Sequence, residues 1–247
     1  MDLETYVGHL GREGRLLAAA AGTGDGSESV PACPGWSLHD LVAHVGVVHQ
    51  WALEAVGGGG RPPSTSKDEL LGRVPRSSPT LSSWYLEQNE ALVQALRRVD
   101  PEAEIWTLWP DTTVGATFWA RRQAHETAVH RCDAQQATGT ATAFDATLAS
   151  DGIDELLTMA ALSHRPWRDR DHLRMGVHAS DTGAAWVLDV RGRRRSLERA
   201  EGPADTRLEG GAGEVFTFLW NRPVQPPPRR SGDTGLWDTW ADLVQIR

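Results

Sequence analysis

The sequence predicts two domains of different class, a four-helix bundle over residues 1–140 and a smaller α+β domain with a short antiparallel sheet over 145–247. Three observations carry this. Residues 3–20, 38–56, 80–99 and 116–137 each repeat apolar side chains at helical spacing. Past residue 170 the texture changes to short β-like runs, with 172–179 and 184–191 flanking the hairpin signal Asp181-Thr-Gly183. Between the two regions, Gly139 to Phe144 reads as a linker.

Taken in order, the first helix carries Leu3, Val7, Leu10, Leu16 and Leu17 and ends at the Gly/Ser-rich stretch 22–29. Ser37 with Asp40 three residues on is close to a capping box, and Trp36 and Leu41 are placed as a hydrophobic staple for the second helix. That helix runs to about Val56, where Gly57 to Gly60 and Pro62-Pro63 stop it. Residues 57–79 form a long loop, of a kind that in compact domains is functional or a crossover. The third helix holds Leu81, Trp84, Tyr85, Leu92, Leu96 and Val99, and a turn-like segment from Asp100 to Thr113 includes Trp106 and Trp109. Four amphipathic helices with one long crossover make a bundle. A further helix at about 147–163 opens the second domain with Leu148, Ile153, Leu156 and Leu157. Arg194 to Glu198 and Thr206 to Leu208 add strands, and helices return at about 212–221 and 235–245, separated by Pro223 and Pro226 to Pro228.

A chain of 247 residues can bury a substantial core, and its formal charge of −8 argues against a nucleic-acid or anionic-membrane partner. The basic cluster Arg191 to Arg195, interrupted by Gly192, reads as a turn between two strands. Two cysteines, Cys33 and Cys132, make no disulfide framework, and each reads as a structural core thiol. The start Met-Asp-Leu-Glu shows no targeting signal, and no run approaches the ~18 apolar residues of a membrane span. A cytoplasmic location is therefore expected. Eleven tryptophans outnumber four phenylalanines and two tyrosines, and core filling is the simplest use for them.

The stretch from Phe118 to His130 carries the chemistry. On a helix, Glu126 and His130 stand one turn apart, with side chains side by side, as two ligands for a divalent metal. His44, at the edge of the apolar stripe of the second helix, is a third if the helices pack together. Zinc uses such a Glu/His/His set, with a vacant position, when it does chemistry. The zincin reading fails on spacing: His125 and His130 are five apart, about 140° around the helix, so both cannot face one ion. Asp133, one turn past His130, can orient its imidazole from behind, and Asp40 is placed to pair with His44 or to add a ligand. The plainer alternative is an i,i+4 ion pair between Arg122 and Glu126, with His130 merely solvated and His44 a satisfied core histidine. His49 points elsewhere, while His9 and His39 read as surface residues.

Two motifs in order, Val30-Pro-Ala-Cys-Pro-Gly-Trp-Ser-Leu-His-Asp-Leu-Val-Ala-His-Val-Gly46 and Trp119-Ala-Arg-Arg-Gln-Ala-His-Glu-Thr-Ala-Val-His-Arg131, resemble the mycothiol-dependent maleylpyruvate isomerase family. Asp151 to Glu155, His178 to Thr182, Glu201 to Asp205 and Phe218 to Arg222 resemble landmarks of that family's C-terminal domain, so the likeness covers nearly the whole chain. The resemblance implies a DinB-like N-terminal bundle whose zinc is held by His44, Glu126 and His130. It also implies an arginine from the second domain in the active-site cleft, by motif position Arg222. The implied cosubstrate is mycothiol, the actinobacterial counterpart of glutathione; a monomer or homodimer is expected.

Coordination turns a thiol into a thiolate near neutral pH. Such a thiolate adds to a small electrophile, and with maleylpyruvate the double bond becomes single, rotates and re-forms as the trans isomer. With a leaving group on the electrophile the same first step gives an S-conjugate, so mycothiol S-transferase activity is the alternative. A non-enzymatic small-molecule binding protein and a thiol-independent zinc hydrolase are the further readings.

Overall fold

Side chains of Asp2, Ser37, Ser66 and Asp145 cap the N-termini of four helices. The computed structural model describes residues 1–76, 78–100, 102–108, 115–163 and 172–243, and divides into two units, Met1–Thr142 and Ala143–Arg247. Trp109 and the end of the last expected helix, residues 244 and 245, lie outside the described residues.

In the first unit, Asp2 accepts from the Thr5 amide at 2.9 Å and opens α1 (Leu3–Ala21). Ser37 and Asp40 form the reciprocal capping box of α2 (Leu38–Gly57). A short α3 (Lys67–Leu71), capped by Ser66, lies inside the expected long loop and was not anticipated. The other long helices are α4 (Ser78–Arg98) and α5 (Gly115–Thr138). α1 packs on α5 and α4, and α2 packs on α4 and α5, so α1 and α2 are diagonal and α5 adjoins both. Leu17, Leu38, Leu41, Val42, Val45, Leu81 and Tyr85 share one apolar cluster.

The fourth long helix departs from the amphipathic expectation. α5 is buried on nearly every side, and its buried residues include Arg122, Gln123, Glu126, His130, Arg131 and Asp133. Polar groups are tolerated there because they are paired. Arg131 donates to Glu13 of α1 at 2.7 Å, to Gln135 at 3.0 Å and to the Thr142 carbonyl at 2.8 Å. Near the start of α5, the Trp119 indole donates to the Trp106 carbonyl at 2.7 Å, and both rings meet Trp51 at 5.7 Å. Tryptophan thus fills volume, as expected.

The second unit begins with α6 (Ala146–Leu162), capped by Asp145. Its sheet comprises β1 (His172–Ala179), β2 (Ala184–Arg191), β3 (Arg194–Glu198), β4 (Thr206–Gly210) and β5 (Arg229–Gly232), in the order β3-β2-β1-β4-β5. The expected short antiparallel sheet needs correcting. β1 pairs in parallel with β4, which makes a five-stranded mixed sheet. The basic cluster is the turn between β2 and β3, where Arg191 pairs with Asp189 at 3.1 Å. Alternate residues Leu173, Met175, Val177 and Ala179 of β1 are buried. α6 packs on β2, β3 and α7 (Ala212–Leu219), and α7 packs on β4. In place of one helix at 235–245 come a 3-10 turn, Thr234–Thr239, and α8 (Trp240–Leu243).

One close approach in the bundle is tight enough to test. A Cβ on Gly46 of α2 would stand 2.3 Å from the Trp84 ring of α4. Overpacking costs about 1–3 kcal/mol, against ~1 kcal/mol gained from helix propensity. Gly46→Ala is therefore expected to destabilise by about 1 kcal/mol in urea titration. An unchanged or raised midpoint would contradict this packing.

Candidate metal centre

The site is built where α2 and α5 meet. The segment before α2 is a tight turn in which Val30 donates to the Trp36 carbonyl and Trp36 to the Cys33 carbonyl, each at 3.0 Å. Gly35 sits at φ +85°, a conformation that suits glycine. The turn lays the Trp36 ring on His44, centroids 5.0 Å apart. Two turns into α2, His44 faces α5, whose Glu126 and His130 share one face.

Glu126 Oε1 lies 3.7 Å from His44 Nε2 and 3.5 Å from His130 Nε2. One donor atom from each of the three residues lies within 4.8 Å of the others. Donors around a tetrahedral zinc at ~2.0–2.1 Å stand about 3.3–3.4 Å apart, and the two separations from Glu126 Oε1 are close to that. His44 is the most exposed of the three, at 21 % of its side chain, so approach from solvent is past His44.

The remaining polar atoms are committed to neighbours. Arg122, one turn before Glu126, donates from Nη2 to Oε2, while Oε1 is the oxygen paired with the two histidines. The ion-pair alternative and the convergence of the ligand candidates therefore hold together, because the two oxygens of Glu126 are used separately. Asp133 Oδ2 lies 3.0 Å from His130 Nδ1, the orientation expected of it, which leaves Nε2 facing the site. Cys33 was expected to be a plain structural thiol. It is half-buried, and its Sγ lies 3.8 Å from the same Asp133 oxygen. Cys33, His130 and Asp133 form a second compact donor group.

Burial alone would raise the Glu126 carboxyl, but Arg122 and the two imidazoles hold it well below the usual range. Burial would push His130 down, yet Asp133 and Glu126 outweigh it and hold the imidazole above its ordinary value. A cation at Nε2 competes with a proton for the same nitrogen, so binding weakens in acid.

Other candidates fall elsewhere. Asp40 is committed to Ser37, at 2.9 Å from its amide and 2.7 Å from its hydroxyl, and serves the cap rather than His44. His39 and His9 lie at the surface, each half-buried, and His39 Nε2 is 3.1 Å from the Pro75 carbonyl. His125 is buried against the edge of Tyr6. Arg222 follows α7 in the second unit. Asn221, at φ +59°, caps that helix, with Arg222 N donating to the Thr217 carbonyl and Asn221 N to that of Phe218. The Arg222 guanidinium donates to the Trp220 carbonyl at 3.1 Å.

A cavity of about 590 Å³ in the first unit borders His44 and is lined by Trp36, His39, Asp40, Ala43 and Val74 among others. A larger one of about 640 Å³ lies in the second unit among Arg191, Arg193, Arg194 and Arg195 and contains none of the candidate ligands.

Residues 7–135 match the family model of the mycothiol maleylpyruvate isomerase N-terminal domain. A crystal structure of the mycothiol-dependent maleylpyruvate isomerase is 15% identical, with a TM-score of 0.61, over 94% of this chain and 93% of that one. A histidine-to-alanine mutant of that enzyme aligns over the same shares at 14% identity and a TM-score of 0.61. At such identity the likeness is one of fold, and it extends over both units. No curated protein matches the sequence.

Beside the candidate centre, His49 gives the bundle a pH signature. It is fully buried, with Nε2 2.9 Å from the Thr127 hydroxyl, and burial pushes its pKa down to about 3. Unfolded, the imidazole titrates near ~6.5. The unfolded chain therefore takes up a proton first, and stability falls as pH drops from ~6.5 towards 3. Between pH 7.5 and 5 the wild type is expected to lose about 2 kcal/mol more than His49→Gln in urea titrations at the two pH values. Equal losses would contradict the burial of a neutral His49.

Proposed function

We propose, from the premise that the chain belongs to the mycothiol maleylpyruvate isomerase family by its N-terminal domain, that it is a zinc- and mycothiol-dependent enzyme acting on a small electrophile. The favoured reaction is cis–trans isomerisation of a maleylpyruvate-type substrate. One observation carries the reading: a single carboxylate oxygen of Glu126 faces two imidazole nitrogens, at 3.5 and 3.7 Å, in an otherwise buried pocket.

In this reading His44, Glu126 and His130 hold the cation. When bound, cation and thiol together supply a sulfur nucleophile that adds reversibly to an activated double bond, which rotates before the sulfur leaves. The chain's own residues do the positioning. Asp133 accepts the Nδ1 proton of neutral His130, which fixes the tautomer that presents Nε2. Trp36 packs against His44 and limits its rotation. Arg222 enters by its motif position, as a guanidinium suited to a substrate carboxylate. Mycothiol S-transferase activity is the second reading, because the same donors serve both reactions up to the first carbon–sulfur bond. A cytoplasmic setting agrees with a thiol cosubstrate, and among the described residues no helix is long and apolar enough to cross a membrane.

Three readouts test this. Zinc-loaded and dialysed wild type is expected to retain about one zinc per chain, and His44→Ala, with one donor fewer, less than about a tenth of that. Equal metal content in the two would contradict the site. Maleylpyruvate absorbance should then change only with mycothiol present. Zinc binding with an S-conjugate as product, and no isomer, would move the assignment to the transferase.

A further inference from the structure

We infer that Arg122 is a positioning residue for the thiol: it occupies Oε2 of Glu126, so that the carboxylate offers a cation Oε1 alone and a coordination position stays open for sulfur. The inference rests on the reading that a cation binds at His44, Glu126 and His130.

Carboxylates bind cations through one oxygen or both. Which of these occurs depends on what the second oxygen is doing. Here it accepts from Arg122 Nη2, one helical turn away on the same element. The backbone of α5 therefore fixes the separation of the pair. The side chains are 7 % and 10 % exposed, so water is poorly placed to take over the guanidinium's role. The other oxygen is the one between the two imidazoles. Were Arg122 only a structural partner, either oxygen would serve it. The observed division leaves Oε1 to the histidines.

Charge acts in the same direction as geometry. Asp133 offsets an added proton or cation on the His130 side, and Arg122 supplies the nearest fixed positive charge on the Glu126 side. A positive charge favours thiolate over thiol. Loss of Arg122 would free Oε2 to compete for the open position and would remove that charge. Both effects lower thiol affinity while sparing, or strengthening, the hold on the cation.

The test uses cobalt(II) as a spectroscopic cation and mercaptoethanol as the thiol, so that it does not depend on which thiol is natural. Wild type and Arg122→Met are both expected to bind one cobalt per chain. Mercaptoethanol titration, followed by the cobalt–sulfur charge-transfer band, should show about tenfold or more weaker binding in Arg122→Met, the equivalent of one unit of thiol pKa. Arg122→Lys, which restores a cation and a donor to Oε2, should return to within about threefold of wild type. If Arg122→Met cannot be obtained folded, Arg122→Gln purified with cobalt replaces it and is expected to show weakened thiol binding in the same direction.

Thiol binding within twofold of wild type in the folded neutral variant overturns the inference. So does loss of its cobalt, since Arg122 would then be holding the ligand set rather than the open position. Failure of wild type itself to bind cobalt removes the metal reading, and this inference with it, and the wild-type control tells the two failures apart.

Discussion

A carboxylate buried in the middle of a helical bundle has to be compensated, and the compensation of Glu126 organises the surroundings of α5. An ionised carboxylate taken out of water is destabilising by several kcal/mol unless partners replace the lost hydration. Arg122 supplies one partner from the same helix, His130 another from the next turn, and His44 a third from α2. His130 then needs a partner for its other nitrogen, which Asp133 provides, and Cys33 approaches Asp133 in turn. Each residue is explained by the one before it.

The same rule runs along another face of the helix. Glu13 and Arg131 are both about 1 % exposed and lie 2.7 Å apart, and Arg131 is further held by Gln135 and the Thr142 carbonyl. Two buried ionic networks therefore leave α5 in different directions, one into α1 and one towards α2. The first is spent on internal partners. The second brings a carboxylate oxygen and two imidazole nitrogens together beside the cavity that borders His44. Rigid helices suit such a site, because donor atoms on elements fixed by packing hold their separations better than donors on loops.

Much of the architecture was legible because it is local. Apolar spacing marked α1, α2 and α4, and the Ser37/Asp40 pair marked where α2 begins. The hairpin signal at Asp181-Thr-Gly183 marked the turn between β1 and β2. What escaped depends on partners remote in sequence. β5, with the composition Arg-Arg-Ser-Gly, has no strand pattern of its own and exists because β4 pairs with it. The parallel pairing of β1 with β4 leaves no mark in either strand. At the site, the helical offset of Glu126 and His130 was readable, as was the place of Asp133, since all three share one helix. Nothing local told that Cys33 would reach Asp133, a hundred residues away in sequence. Glu13 did leave a trace, three residues past Leu10 on the apolar side of α1, where a charge needs a partner.

The central claim is that His44, Glu126 and His130 hold one cation and leave it a position for sulfur. Zinc K-edge X-ray absorption of the loaded protein, recorded with and without thiol, tests it most directly. The account predicts a shell of nitrogen and oxygen neighbours near ~2.0–2.1 Å, with one sulfur appearing near ~2.3 Å when thiol is added. A shell that stays free of sulfur in excess thiol, or a protein that retains no zinc to measure, would contradict it.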